Sequence, residues 1–298
     1  MRPTRNFLTS LGLPGRDLGE LPDSTKRFPD GAQYRVEIPS VEGPDALRTV
    51  LDAAKDHDIR VHRISQGSGI MLLTDDEIAA MVALGAERDV EICLFVGPRA
   101  GWDTGVQVTA PSGRVAAGVL RGTEQLVYGI EDIRRGCELG LRSVLVADIG
   151  QLWVLGRMRD AGELPADLIL KASISFPTAN PATARLLEDL GVNTINLPLD
   201  LSLAQIAAIR HAVAVPLDVY VEGADDFGGT VRYYELPELV RVAAPVYLKF
   251  TLRNAPGIYP SGGHLEALAL SSARERVRRA AIGLSLLHRY YPDATSTP

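Results

Sequence analysis

The chain is nearly without cysteine: Cys93 and Cys137 are the only two in 298 residues, too few for a disulfide framework or a four-thiolate cluster. No run approaches the roughly 18 uninterrupted apolar residues of a membrane span, and the opening Met1 to Asp30 is polar, without the apolar core of a signal peptide. No Lys/Arg block is present to track a phosphate backbone; 31 basic residues against 37 acidic ones give a net charge of −6. These absences point to a cytoplasmic protein with neither nucleic acid nor membrane as partner, and leave a small molecule as the expected substrate. They leave open whether the chain forms a homo-oligomer. Familiar chemical signatures are missing too. There is no GxGxxG after the first strand-like run, no GxxxxGK[ST], no GxSxG, no HxH and no HExxH.

What is present is 46% hydrophobic residues, enough for a sizeable core, arranged in a regular alternation of period-two and helical-period runs. Strands are expected at Tyr34–Ser40, Ile59–Ser65, Val90–Gly97, Ser143–Asp148, Leu168–Ser175, Thr194–Leu199, Leu217–Glu222 and Val246–Arg253. Helices are expected at 44–57, 74–88, 123–140, 151–161, 181–190, 202–213, 235–243 and 265–290. Thr74, Asn180 with Pro181, and Ser202 are helix-start signals. Eight such pairs without a linker predict an α/β fold, a single (β/α)8 TIM barrel over residues 34–290. Residues 1–33 form an N-terminal extension that would cap the barrel bottom or pack across a neighbour. Residues 291–298 are expected to be a disordered tail. A long loop after the third strand, residues 98–122, contains VQVTAPSGRVAAG, a candidate hairpin and lid carrying Trp102.

Alternation along each strand assigns the residues that face the axis: Arg35 and Glu37; His62 and Gln66; Glu91 and Cys93; Lys171, Ser173 and Ser175; Asn196; Asp218, Tyr220 and Glu222; Tyr247, Lys249, Thr251 and Arg253. Charge at so many axial positions is costly unless paired or functional. Glu37, His62, Lys171 and Glu222 are the candidate catalytic residues, the carboxylates as bases, His62 for proton transfer, and Lys171 and Lys249 for polarising a substrate or for covalent chemistry. The candidate substrate-binding residues are Gln66, Ser173, Asn196, Tyr220, Lys249 and Arg253, with the glycine pairs Gly228, Gly229 and Gly262, Gly263 as an anion cradle. Glu37, Asp148 and Glu222 are a candidate ligand set for a divalent metal. Structural ion pairing across the lumen is the alternative explanation of these charges. Cys93 reads as a packed thiol.

The stretch from Ala172 to Gly223, with SISFPTANPATARLLEDLGVNTINLPLDLSLAQIAAI followed by PLDVYVEGA, resembles the U32 peptidase family, the collagenase-like proteases. Family members share an Asn before a helix, a Leu-Gly-Val entry to a strand, Leu-Ser-Leu-x-x-Ile, and a strand ending in Glu-Val-Phe-Val-His-Gly. PSVEGPDALRTVLDAAKDHDI is a looser match to the family's first βα unit. The resemblance implies a barrel and a site at the end of this strand. It departs where it would carry a cofactor: Gly223 leads into Ala-Asp-Asp-Phe-Gly-Gly in place of the family's cysteines, and Glu222 stands at the family's histidine. An iron–sulfur cluster is therefore not expected. The residues taken together predict a barrel enzyme acting on a small oxyanionic metabolite by acid/base or metal-assisted chemistry, of lyase or isomerase type. A U32-like hydrolase and a non-catalytic metabolite-binding barrel are the alternatives.

Overall fold

The computed structural model describes residues 1–100, 108 and 117–298. Eight parallel strands alternate with helices, as the two hydrophobic periods require: β1 (Tyr34–Pro39), β2 (Arg63–Gln66), β3 (Glu91–Phe95), β4 (Ser143–Val146), β5 (Ile169–Ala172), β6 (Thr194–Asn196), β7 (Leu217–Gly223) and β9 (Val246–Phe250). A two-residue strand, β8 (Thr230–Val231), pairs antiparallel with the end of β7. The first barrel strand pairs with the last, Tyr34 opposite Val246, and β6 pairs with β7, so the sheet closes on itself. The chain is a single (β/α)8 barrel.

The surrounding helices are α2 (Pro44–Asp56), α3 (Asp75–Arg88), α4 (Gly122–Glu138), α5 (Ile149–Asp160), α6 (Pro181–Asp189), α7 (Leu203–Ala212), α8 (Leu236–Ala243) and α9 (Glu266–Tyr290). Their starts use the chemistry legible in the sequence. Thr74 with Glu77 and Ser202 with Gln205 form reciprocal capping boxes, and the Asn180 side chain accepts from the N–H groups of Ala182 and Thr183. The main core lies between strands and helices, where Val36, Ile38, Ile64, Leu94, Val144, Leu170, Ile195, Val219 and Leu248 are buried. No described helix is long and apolar enough to cross a membrane.

The extension begins with a helix, α1 (Arg2–Ser10), that buries none of its residues. It ends beneath the barrel, where the Phe28 ring meets Tyr247 edge-on at 5.2 Å and Arg35 lies over Phe28 at 4.3 Å. The last eight residues, expected to be disordered, are held against the same end. The N–H of Thr295 donates to Gln33 Oε1 at 3.0 Å, Ser296 bridges Tyr34, and the Arg35 Nε donates to the Thr297 hydroxyl at 2.8 Å. The Gln33 and Arg35 side chains, together with the Gln33 and Tyr34 N–H groups that donate to the Thr295 carbonyl at the barrel's lower rim, supply these partners, which a composition-based reading of the tail cannot foresee. The candidate hairpin and Trp102 lie outside the described residues.

Candidate active site

The barrel axis carries a buried, alternating stack of charge. Glu37 from β1 is fully buried; its Oε1 accepts from the Ser65 hydroxyl at 2.6 Å and faces Lys249 Nζ at 3.1 Å, while Oε2 faces Lys171 Nζ and, at 3.4 Å, Arg63 Nη1. Asp218 from β7 takes Lys171 Nζ at 2.8 Å and the Thr194 hydroxyl at 2.6 Å. Arg63 extends the stack downwards to Glu91 at 2.8 Å and lies 3.5 Å over the Tyr247 ring. Burial would raise the Glu37 carboxyl, but the charges of Lys171, Lys249 and Arg63 outweigh it and hold the group far below the ordinary carboxylate range. Three cations thus balance the three carboxylates of Glu37, Asp218 and Glu91, which is why such a polar lumen folds at all.

Above this stack, at the C-terminal ends of the strands, opens a cavity of about 450 Å³, within the usual range for small-ligand sites. Lys249, Asn196, Tyr220 and Ser173 border its floor; Phe95, Leu145 and Phe227 give apolar wall, with Arg99 and Tyr259 beside them. Lys249 Nζ donates to Asn196 Oδ1 at 2.7 Å and lies 4.5 Å from the Tyr220 ring centroid. Arg99 stacks on Phe95 at 3.7 Å and donates to the carbonyls of Gly67 and Ser68. Lys171, Glu37 and Asp218 lie below, out of the lining.

Several expected site residues are elsewhere. His62 is at the barrel's lower end, not in the lumen: its Nδ1 accepts from the Val36 N–H at 2.9 Å, so the ring proton sits on Nε2, which donates to the Thr297 carbonyl at 3.0 Å. Burial lowers its pKa from 6.5 to about 4. The axial position belongs to the next residue, Arg63. Because the unfolded chain binds a proton here below about 6.5 and the folded one only near 4, His62 contributes stability above that window that is lost as pH falls through it. His62→Gln is expected to flatten the urea-unfolding free energy measured between pH 7 and 4, with ligand binding unchanged.

Glu222 is also misplaced by alternation. The β7–β9 register moves from Tyr220 opposite Lys249 to Glu222 opposite Phe250, so a bulge at Val221 turns Glu222 away from the axis with Phe250. Its carboxylate accepts from the Tyr233 hydroxyl at 2.6 Å, the Arg253 N–H at 2.9 Å and Arg279 Nη1 at 3.0 Å. Glu222→Gln is expected to cost about 1–3 kcal/mol of stability, since the amide keeps the shape but loses the charge-assisted bond to Arg279; calorimetry and a binding titration should show lower Tm and unchanged affinity.

Asp148 caps α5, its Oδ1 accepting from the Gln151 N–H at 2.8 Å and Oδ2 from the Leu120 N–H at 3.0 Å. Glu37, Asp148 and Glu222 therefore occupy three separate environments and form no metal ligand set; among the described residues no three His, Cys, Asp or Glu side chains converge. The anion cradle does not assemble either. Gly228 and Gly229 have positive φ and spend their N–H groups on Asp225 and Ala224, and Arg253 pairs with Asp225 at 2.7 Å on the outer side of this turn. Gly262 and Gly263 border a different pocket, beside Glu42 and Ser68. Gln66 reaches the cavity, but its amide closes on Gly69, donating to the carbonyl and accepting the N–H. Cys93 packs with Phe95, Leu145 and Ala147, and burial pushes its thiol up to about 11. Alternation missed Arg63, and Arg99 and Tyr259 lie on loops where no period marks a direction.

The model of peptidase family U32 matches residues 115–226, a segment that includes the run resembling that family. A search of curated proteins found no match. Among solved structures, the U32 peptidase Mk0906 is similar at 18% identity, with 80% of this chain and 98% of that one covered and a TM-score of 0.46. The metallated homocysteine methyltransferase MmuM from Escherichia coli is similar at 12% identity, covering 82% of this chain and 97% of that one, TM-score 0.52. The thiamine phosphate pyrophosphorylase from Pyrococcus furiosus is similar at 12% identity, covering 86% and 98%, TM-score 0.46. The likeness to the methyltransferase is one of fold.

Proposed function

For a barrel whose central segment matches the U32 model, we propose an enzyme that acts on a small oxyanionic metabolite held in the cavity above Lys249, by acid/base chemistry of lyase or isomerase type. The observation that carries this reading is that Lys249, alone among the six charges of the axial stack, borders the cavity. A carbonyl or carboxylate oxygen seated there would meet a fixed ammonium in a water-poor site. Negative charge that develops on that oxygen, when a neighbouring carbon loses a proton or a carbon–carbon bond breaks, would be stabilised without reorganisation. Glu37 and Asn196 hold the ammonium in position, which favours a polarising role for Lys249 over a covalent one. Lys171 belongs to the support beneath, while His62 at the lower end and Glu222 beside Arg279 lie away from the cavity.

Two observations support other readings. The complete pairing of the axial charges suits a barrel that binds a metabolite without transforming it, and the U32 match suits a hydrolase of peptides. Thermal-shift measurement against separate panels of small carboxylates, sugar phosphates, amines and dipeptides tests all three. Stabilisation by carboxylates or other oxyanions, accompanied by their chemical conversion, is the expected result. Stabilisation without conversion would favour the binding barrel, and a response confined to dipeptides the hydrolase.

A further inference from the structure

The floor of the cavity has more hydrogen-bond donors than the protein uses. Lys249 carries three ammonium N–H groups, and its protein acceptors are Glu37 Oε1 and Asn196 Oδ1. Asn196 is 1% exposed; its carbonyl oxygen is taken by Lys249, while its amide nitrogen has no hydrogen-bond partner among the described residues and is not sealed in the interior. Tyr220 is 8% exposed, its hydroxyl likewise has no partner among the described residues and is not sealed away, and it borders the same space. Donors that border a cavity are satisfied by whatever fills it, water or the oxygen of a ligand. These three side chains stand on adjacent strands, with Tyr220 and Lys249 direct cross-strand neighbours.

Resting on the proposed function and naming its substrate class, we propose that the Lys249 ammonium, the Asn196 amide and the Tyr220 hydroxyl together receive one carboxylate or enolate oxygen group of a small acid whose remainder is flat and apolar. The second half follows from the wall. Phe95 is 7% exposed and Leu145 8%; with Phe227 they offer apolar surface opposite the polar floor, which a fully hydrated anion such as phosphate would leave uncovered. Arg99, stacked on Phe95, favours a planar group alongside it.

The test uses the full-length protein and four probes: benzoate and phenylpyruvate as flat acids, benzyl alcohol as the same body without charge, and inorganic phosphate as charge without the body. Calorimetric titration is expected to detect binding of at least one flat acid, with benzyl alcohol and phosphate much weaker. Tyr220→Phe removes only a hydroxyl that no described residue uses; it is expected to leave Tm unchanged and to weaken the acid about three- to tenfold. Asn196→Leu, which removes the amide and an acceptor of Lys249, should weaken it further. Unchanged affinity in Tyr220→Phe would overturn the donor set. Binding of phosphate in preference to the flat acids, lost in Lys249→Met, would overturn the substrate class while leaving the oxyanion site in place. Benzyl alcohol binding as well as benzoate would overturn the oxyanion reading itself.

Discussion

Replacing Glu37 by Gln is expected to lower the unfolding free energy by about 3–5 kcal/mol, the usual cost of breaking a buried ion pair from one side. The substitution leaves Lys171, Lys249 and Arg63 facing only Asp218 and Glu91 inside the barrel, with one cation uncompensated. For a chain of this length the change should appear as a Tm lower by on the order of 10 °C and a urea midpoint shifted at constant slope. Adding Lys171→Met to Glu37→Gln restores the count of charges, so the double variant should recover part of the loss. The pH dependence has a definite sign. Glu37 is held far below its ordinary value of 4.5, so its contribution is complete above that pH and is lost as the solution is acidified below it. Acid unfolding of the wild type should therefore be steeper below about 4.5 than that of Glu37→Gln. Equal stability of wild type and Glu37→Gln would mean that the axial stack is not held by this carboxylate.

Lys249→Met is expected to reduce turnover or ligand affinity about 100-fold, the scale of losing one donor from a preorganised oxyanion site. Its structural cost should be smaller than that of Glu37→Gln. Glu37 keeps Lys171 and Arg63 as partners, and the thioether occupies the volume of the lost stem. Lys249→Arg keeps the charge but brings a larger planar head to a site fitted to a point ammonium, so it should recover stability without recovering function. A Lys249→Met variant that turned over substrate normally would move the chemistry away from the floor of the cavity.

The barrel was legible because each strand and helix has to bury one face, and the two periods record that requirement residue by residue. Helix α1 escaped because only Leu8 packs against the core, and only in part, which leaves no core stripe. The strands end earlier than their apolar runs do: β5 stops at Ala172, and Ser173 and Ser175 continue into the mouth. The lumen was legible where alternation is unbroken, as for Glu37, Lys171, Asp218, Tyr220 and Lys249. It failed at two kinds of place. In Val61-His-Arg-Ile64 two polar residues are adjacent, and counting back from the buried Ile64 selects Arg63, whereas the expected longer strand selected His62. At Val221 a bulge reverses the parity, and nothing in Val-Tyr-Val-Glu announces it. A simpler signal was available: the chain has four lysines, Lys26, Lys55, Lys171 and Lys249, and two of them fall inside strand-like apolar runs where a lysine needs a reason.

The central claim is that the cavity floored by Lys249 selects a small oxyanionic metabolite. Equilibrium dialysis of a cell's small-molecule extract against wild type and against Lys249→Met, read by mass spectrometry, tests it most directly. One or more carboxylates or other oxyanions should concentrate with the wild type and not with the variant. Equal enrichment of the same compounds by both proteins, or enrichment of amines alone, would contradict it.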